Sequence, residues 1–156
     1  MLRVSRYLAI VVLFWGVVSI VIGSIFIVQA VEKNNWMKEA MRSEKVTLGL
    51  SQEQIAKGEV IDTAKEAQAA ADTIREHRHK IAPTYNDLLK GGQYDPTNPQ
   101  HLTYSQAINM ENYLYLAVLS FGVTTVIIGT GVFMIITGFA LGTTGVVLLR
   151  SVYQAA

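Results

Sequence analysis

The chain has 156 residues, with thirteen Lys and Arg against twelve Asp and Glu and a net charge of +1. That length allows one modest unit, the balanced charge offers nothing to nucleic acid, and the absence of cysteine excludes disulfides and thiol chemistry. A hydrophobic content of 51% is at the high end for a soluble domain.

The apolar residues are unevenly placed. After a short N-terminus over 1–6, no side chain is charged from Tyr7 to Val31. A bilayer core about 30 Å thick takes roughly 20 apolar residues in a helix, so 7–31 reads as a first transmembrane helix. A secretory signal is the competing reading, with "MLRVSRY" as its basic start and "VQA" at 28–30 as a small-residue cleavage site. Signal cores run about 7 to 15 residues, which favours an uncleaved anchor here. Within this run Ala9, Gly16, Gly23 and Ala30 recur at sevens, and Ser19 with Gly23 forms a small-xxx-small pair. A seven-residue repeat of small side chains marks close left-handed helix contact.

All twelve acids lie between Glu32 and Glu111, so 32–111 reads as a polar segment outside the bilayer, and its composition is helical. "WMKEAMRSEK" continues the first helix outward and "VTLGL" is a short extended stretch ending at Gly49. Ser51 with Gln54 forms a capping-box pattern that opens a helix to Ala82. Val60, Ala64, Ala67, Ala71, Ile74 and Ile81 form its apolar seam, with Arg78 at the one missing position. Pro83 ends that helix, "TYND" caps a short turn through Leu88 and Leu89, and "GG" at 91 and 92 stops it. "YDPTNPQH" is an irregular connector, after which Thr103 with Gln106 caps a helix beginning at Tyr104. Because alanine buries little area at about 25 cal/mol per Å², this outer segment is expected to need a partner surface.

Chemistry-bearing patterns are sparse. His77 and His79 fall on different sides of a helix and His101 in a loop, a poor match to the four ligands of structural zinc. "REHRHK" reads as a solvated basic helix end before Pro83, and Asp62 with Glu66 as surface carboxylates. No metal, cofactor, catalytic residue or small-molecule substrate is expected.

From Asn112 to Leu149 the chain is again free of charge, and 112–142 reads as the second transmembrane helix. Ala117, Thr124, Gly131, Gly138 and Gly145 recur at sevens, Thr130, Thr137 and Thr144 run in parallel, and Gly138 with Gly142 forms GxxxG. These are packing surfaces on the main reading. Threonine rows lining a pore, or a turn at "GTG", are the competing ones. A straight helix from Tyr115 to Arg150 spans about 52 Å, more than the bilayer with headgroups, so the helix is expected to end near Leu141 and 143–156 to lie along the inner surface. Ile128 and Ile135 are expected to face lipid. Arg3, Arg6 and Arg150 flank the runs without acids, which places both ends in the cytoplasm and 32–111 outside. Tyr7 and Tyr153 then mark the inner interface, and Trp36, Tyr113 and Tyr115 the outer one.

"EKVTLGL", "GEVIDTAKEAQAAADTIREH", "TYNDL" and "SFGVTTVIIGTGVFMIITGFAL" occur here in the order in which they occur in a set of small two-span membrane proteins. Over most of residues 44–141 the chain resembles these proteins of actinobacteria and related bacteria, which carry the description aromatic ring-opening dioxygenase. The resemblance implies a bacterial cytoplasmic membrane protein with this topology. A ring-opening dioxygenase needs an iron site of His and carboxylate ligands, and this sequence has no such pattern. The expected fold is therefore all-α, a hairpin of two transmembrane helices with a mainly helical extracytoplasmic domain. The expected role is a non-enzymatic interaction protein of the bilayer, a homo-oligomer or accessory subunit of a membrane complex, with a pore or transport component as the alternative.

Overall fold

A computed structural model describes residues 2–154, with side chains from Ser5 to Gln154. The side chain of Arg3, used above for orientation, and the last two residues of the expected tail lie outside the described residues. Among the described residues there are only helices: α1 Leu2–Ser43, α2 Gln52–Ala56, α3 Ala64–Ile81, α4 Tyr85–Leu89 and α5 Pro99–Gln154. Helices α1 and α5 are both long and apolar enough to cross a membrane. The residues group into two compact units, one of residues up to Lys33 and from Thr124 onward, the other Asn34–Val123.

In the first unit the two helix segments run antiparallel. Leu13 lies against Gly145, Gly16 against Gly138 and Gly142, and Gly23 against Gly131, so the partner number falls as the first rises. Several bulky side chains point away from this contact. Phe14, Trp15, Phe133, Ile136 and Phe139 are all exposed.

Helix α5 does not end near Leu141. It continues through "GTTG" to Gln154. The Thr143 and Thr144 hydroxyls donate to carbonyls of their own helix at Phe139 and Ala140, at 2.8–3.0 Å, which satisfies them without breaking the ladder. Gly145 rests on Leu13, so packing holds the final turns in helical form. The surface tail expected over 143–156 is thus helix as far as it is described.

The second unit also departs from the expected continuous helix. The Ser51 capping box is present, but it opens only α2, and the chain leaves the helix at Lys57 and Gly58, where Gly58 has φ +74°. A second capping box then starts α3: the Thr63 hydroxyl accepts from Glu66 N, and a Glu66 carboxylate oxygen accepts from Thr63 N at 3.1 Å. Val60 therefore precedes the helix that was to carry it. The neighbouring Ile61 is fully buried instead, and its amide donates to the Val46 carbonyl at 2.9 Å. Ala67, Ala71 and Ile74 are buried with Ala70, while Ala64 and Ile81 are partly buried. Together with Leu114 of α5, Ile61 and the α3 residues make the main core.

Helix α3 stops at Ala82, whose extended backbone is the conformation forced on a residue before proline. Thr84 caps α4, and Lys90 and Gly91 end it with positive φ. Helix α5 begins at Pro99 rather than Tyr104. Proline suits a first helical position, and the Asn98 side chain accepts from Gln100 N at 2.9 Å, which leaves Thr103 and Gln106 inside the helix.

"VTLGL" is not extended throughout: it turns at Leu48 and Gly49, where the Leu50 amide donates to the Thr47 carbonyl at 3.1 Å. Gly49 has φ +81°, and a Cβ placed there would lie 3.1 Å from the Ala70 backbone. Gly58 has φ +74° with open space around it. Gly58→Ala is expected to cost about 1 kcal/mol from the left-handed backbone alone, and Gly49→Ala at least about 2 kcal/mol because α3 must also move. Thermal loss of the helical circular dichroism signal in mild detergent measures both. Equal losses would remove the Gly49–Ala70 contact from the account.

Candidate functional site

Two groupings of residues stand out, one in each unit. In the first, the small-residue rows of α1 and α5 face each other. Ala9, Gly16, Gly23 and Ala30 are buried, as are Thr124, Gly131, Gly138 and Gly145. A Cβ on Gly138 would fall 2.7 Å from the Gly16 carbonyl oxygen, and one on Gly23 would fall 2.6 Å from that of Gly131. The Ser19 hydroxyl donates to the Met134 carbonyl at 2.7 Å, a cross-helix bond of the kind worth about 0.6 kcal/mol on average in membrane proteins.

Gly142 behaves differently. A Cβ there would meet nothing. It forms the floor of an open apolar groove of about 380 Å³, with Gly16 and Gly138, between walls that include Val17, Ile20, Phe139 and Val146. Ile135 is not a lipid-facing position, since its side chain would meet a Cβ on Gly23 at 3.0 Å. Ile128 is partly buried too. In the parallel row, Thr130 and Thr144 are exposed and donate to the carbonyls of Val126 and Ala140, four residues back. Arg6 lies 5.2 Å from the centre of the Tyr153 ring.

The second grouping was not anticipated. Arg78 is not a solvated residue of a basic helix end. Its side chain is 13% exposed and donates from Nε to Glu111 at 2.9 Å and from a terminal nitrogen to the Tyr104 hydroxyl at 2.7 Å. The guanidinium also lies 5.0 Å from the centre of the fully buried Tyr104 ring. Arg75 donates to the other Glu111 oxygen at 3.1 Å and stands 5.0 Å over the Tyr115 ring. Tyr115 in turn donates its hydroxyl to Asp72 at 2.8 Å, and Gln68 donates to the same carboxylate. Tyr115 is thus engaged by α3 and is not a free interfacial aromatic.

Burial pushes the Glu111 carboxyl up, but hydrogen bonds from Arg78 and Arg75 outweigh it and leave the pKa below its ordinary value. Burial also opposes the Arg78 charge, and Glu111 and Tyr104 overcome that, raising its pKa. The Asp72 carboxyl is lowered by its bonds from Gln68 and Tyr115 and by the charge of Arg75. The cluster is a charge-neutralising clasp between α3 and α5, with no proton shared near neutral pH.

The sequence held a signal for it. Arg78 is the gap in the α3 seam, and Glu111 stands seven residues after buried Tyr104 and three before buried Leu114. Each is a flaw in an apolar stripe, and the two flaws are partners.

The remaining candidates are structural. Asp62 is paired with Arg42 at 2.6 Å and Glu66 is committed to the α3 cap, so neither is a free surface carboxylate. His77 and His79 are exposed. His101 lies in the first turn of α5 rather than in a loop, where its Nδ1 accepts from Asp95 N at 3.0 Å and its ring stacks on Tyr94. Compared with family models, curated proteins and solved structures, the chain matches none.

Glu111→Gln leaves Arg78 buried without its counter-charge and is expected to cost about 2–3 kcal/mol, since removing one partner of a buried pair costs 3–5 kcal/mol and Arg75 is half in water. The folded carboxyl titrates below its ordinary value of 4.5. Its contribution is therefore complete above about pH 5 and is lost as pH falls through the lower folded value. Wild type should lose thermal stability between pH 5 and pH 3 more steeply than Glu111→Gln, and parallel curves would show that Glu111 does not hold the clasp.

Gly138→Leu must push apart two backbones and is expected to lower the thermal midpoint in mild detergent by at least 5 °C, roughly the effect of 1–3 kcal/mol of overpacking. Ile136→Leu, on an exposed face, should leave it unchanged. Equal midpoints for the two would remove the close contact from the account.

Proposed function

We propose that this chain is an integral membrane interaction protein without catalytic activity. It crosses the bacterial cytoplasmic membrane twice as a hairpin, with both ends in the cytoplasm and residues 32–111 outside, and assembles with copies of itself or as accessory subunit of a membrane complex. The observation that carries the reading is the exposed apolar surface of α1 and α5 over two charge-free runs, with small residues turned inward. Soluble monomers rarely expose contiguous apolar patches of that kind, whereas a bilayer covers them without penalty. The two charge-free runs on either side of a charged segment support the topology.

Because the glycine rows are occupied by the chain's own helices, assembly uses outward faces. The groove floored by Gly142 is the best suited of these for a second copy, because a neighbouring helix can approach the backbone there without displacing α1. Gly142→Leu fills that groove at no cost to the chain's own packing, while Gly138→Leu damages the chain itself.

Native mass in mild detergent, with cross-linking in membranes, tests the reading. The wild type is expected as a defined multimer, Gly142→Leu as a monomer of unchanged thermal midpoint, and Gly138→Leu as a destabilised chain. A monomeric wild type with no co-purifying chains would overturn assembly. Ion flux from vesicles holding the purified protein would transfer the role to a pore, against which the back-bonded threonines and the lack of a charged ring in the spans argue.

A further inference from the structure

One end of the first unit, where the start of α1 meets the last turns of α5, carries cations and no acid. Arg6 precedes the charge-free run of α1, Arg150 follows that of α5, and no Asp or Glu side chain occurs in residues 1–31 or 112–156. Both arginines are exposed, and neither has an ion pair among the described residues. Arg6 is nevertheless held by the other helix, since its guanidinium lies 5.2 Å from the centre of the Tyr153 ring. Tyr153 stands three residues after Arg150, so the two share a helix face with Cβ atoms about 5–6 Å apart. The ring thus brings one guanidinium beside the face that carries the other. Two like charges drawn together without a carboxylate are arranged for an anion.

The surroundings select which anion. One turn inward along each helix, Ile10 and Val147 are exposed apolar side chains. A free phosphate gains nothing from such a surface, whereas a phosphate ester carrying acyl chains covers it. On the membrane reading above, on which this inference rests, the arginines stand at the level of the headgroups. A guanidinium binds phosphate oxygens through paired N–H donors. An amine on the same headgroup would meet only cations here, so a headgroup of net negative charge is favoured over a zwitterion. We infer that Arg6 and Arg150 bind the phosphate of an anionic phospholipid, with Tyr153 positioning Arg6 for it.

The test uses the full chain reconstituted in vesicles. Alkaline carbonate extraction comes first: a chain released by it is not integral, which overturns the membrane reading and the lipid site with it. A retained chain is then transferred to mild detergent and offered phosphatidylglycerol and phosphatidylethanolamine with identical acyl chains, and bound lipid is counted by native mass spectrometry. The expected result is a preference for phosphatidylglycerol of at least about five-fold. Arg6→Gln combined with Arg150→Gln should bring the ratio to about one. Lys33→Gln removes a positive charge at the other end of the charge-free run and should leave the ratio unchanged. Tyr153→Leu keeps every charge but frees Arg6, and should lower the preference by at least about half, whereas Tyr153→Phe keeps the ring face and should preserve it. Equal binding of the two lipids by wild type, an unchanged preference in Tyr153→Leu, or an equal loss in Lys33→Gln would overturn the site while leaving the membrane reading intact. Displacement of the bound lipid by millimolar inorganic phosphate would assign the arginines to a free anion and overturn the lipid.

Discussion

Contact between two polypeptide backbones at Gly16 and Gly138 is the interaction on which the apolar part of this chain depends. On the membrane reading proposed above, apolar side chains gain nothing by leaving a solvent as apolar as themselves, so cohesion comes from the number of atoms brought to van der Waals distance. Glycine at sevens raises that number by letting main chain meet main chain. The Ser19 bond to the Met134 carbonyl adds direction to an otherwise slippery contact. Leu13, Ile20, Ile27 and Ile135 flank the glycines on this seam, and the aromatic Phe14, Trp15, Phe133 and Phe139 are left for the outer faces.

The unit Asn34–Val123 solves a different problem. Its α3 face is mostly alanine, and alanine alone buries too little area to hold a helix in water. Ile61, Ile74 and Leu114 supply bulk at one point of the core, and Tyr104 does so beside Ala82 and Leu88 at another. Between α3 and α5, Arg75, Arg78 and Glu111 fasten the helices by charge. A buried charge is tolerable only when fully partnered, and among the described residues no buried side-chain nitrogen or oxygen lacks a partner. The clasp therefore specifies how α3 sits on α5 more than it stabilises the pairing, because a wrong register would strand Glu111.

Much of this was legible in the residues, for physical reasons that differ by element. Helical composition, charge-free runs and seven-residue rows are periodic signals, and they survive without knowledge of neighbours. The cap at Thr84 and the stop at Gly91 were local and equally readable. The break between α2 and α3 was misread because alanine-rich propensity after Ser51 masks a second cap at Thr63, a residue that also fits a helix interior. The start of α5 was misread for the opposite reason, since "TNPQH" has the look of loop until Asn98 is seen to cap Pro99 and Gln100. Arg78 and Glu111 were each visible as exceptions, but 33 residues separate them, and nothing in either neighbourhood announces the other. The continuation of α5 past Leu141 escaped an argument from bilayer thickness, because packing of Gly145 on Leu13 is a tertiary fact.

The obstacle at the Gly16–Gly138 contact has a further consequence for how the chain can change over time. Where a small residue faces only a large side chain, enlarging one can be compensated by trimming the other, and a pair can drift together. At Gly138 an added Cβ would meet the Ile20 side chain but also the Gly16 carbonyl oxygen, and trimming Ile20 leaves the oxygen in place. Reciprocal substitution cannot repair such a contact. Only a movement of the helix axes can, and that would be felt at once by Ser19, Gly23 and Gly145 along the same line.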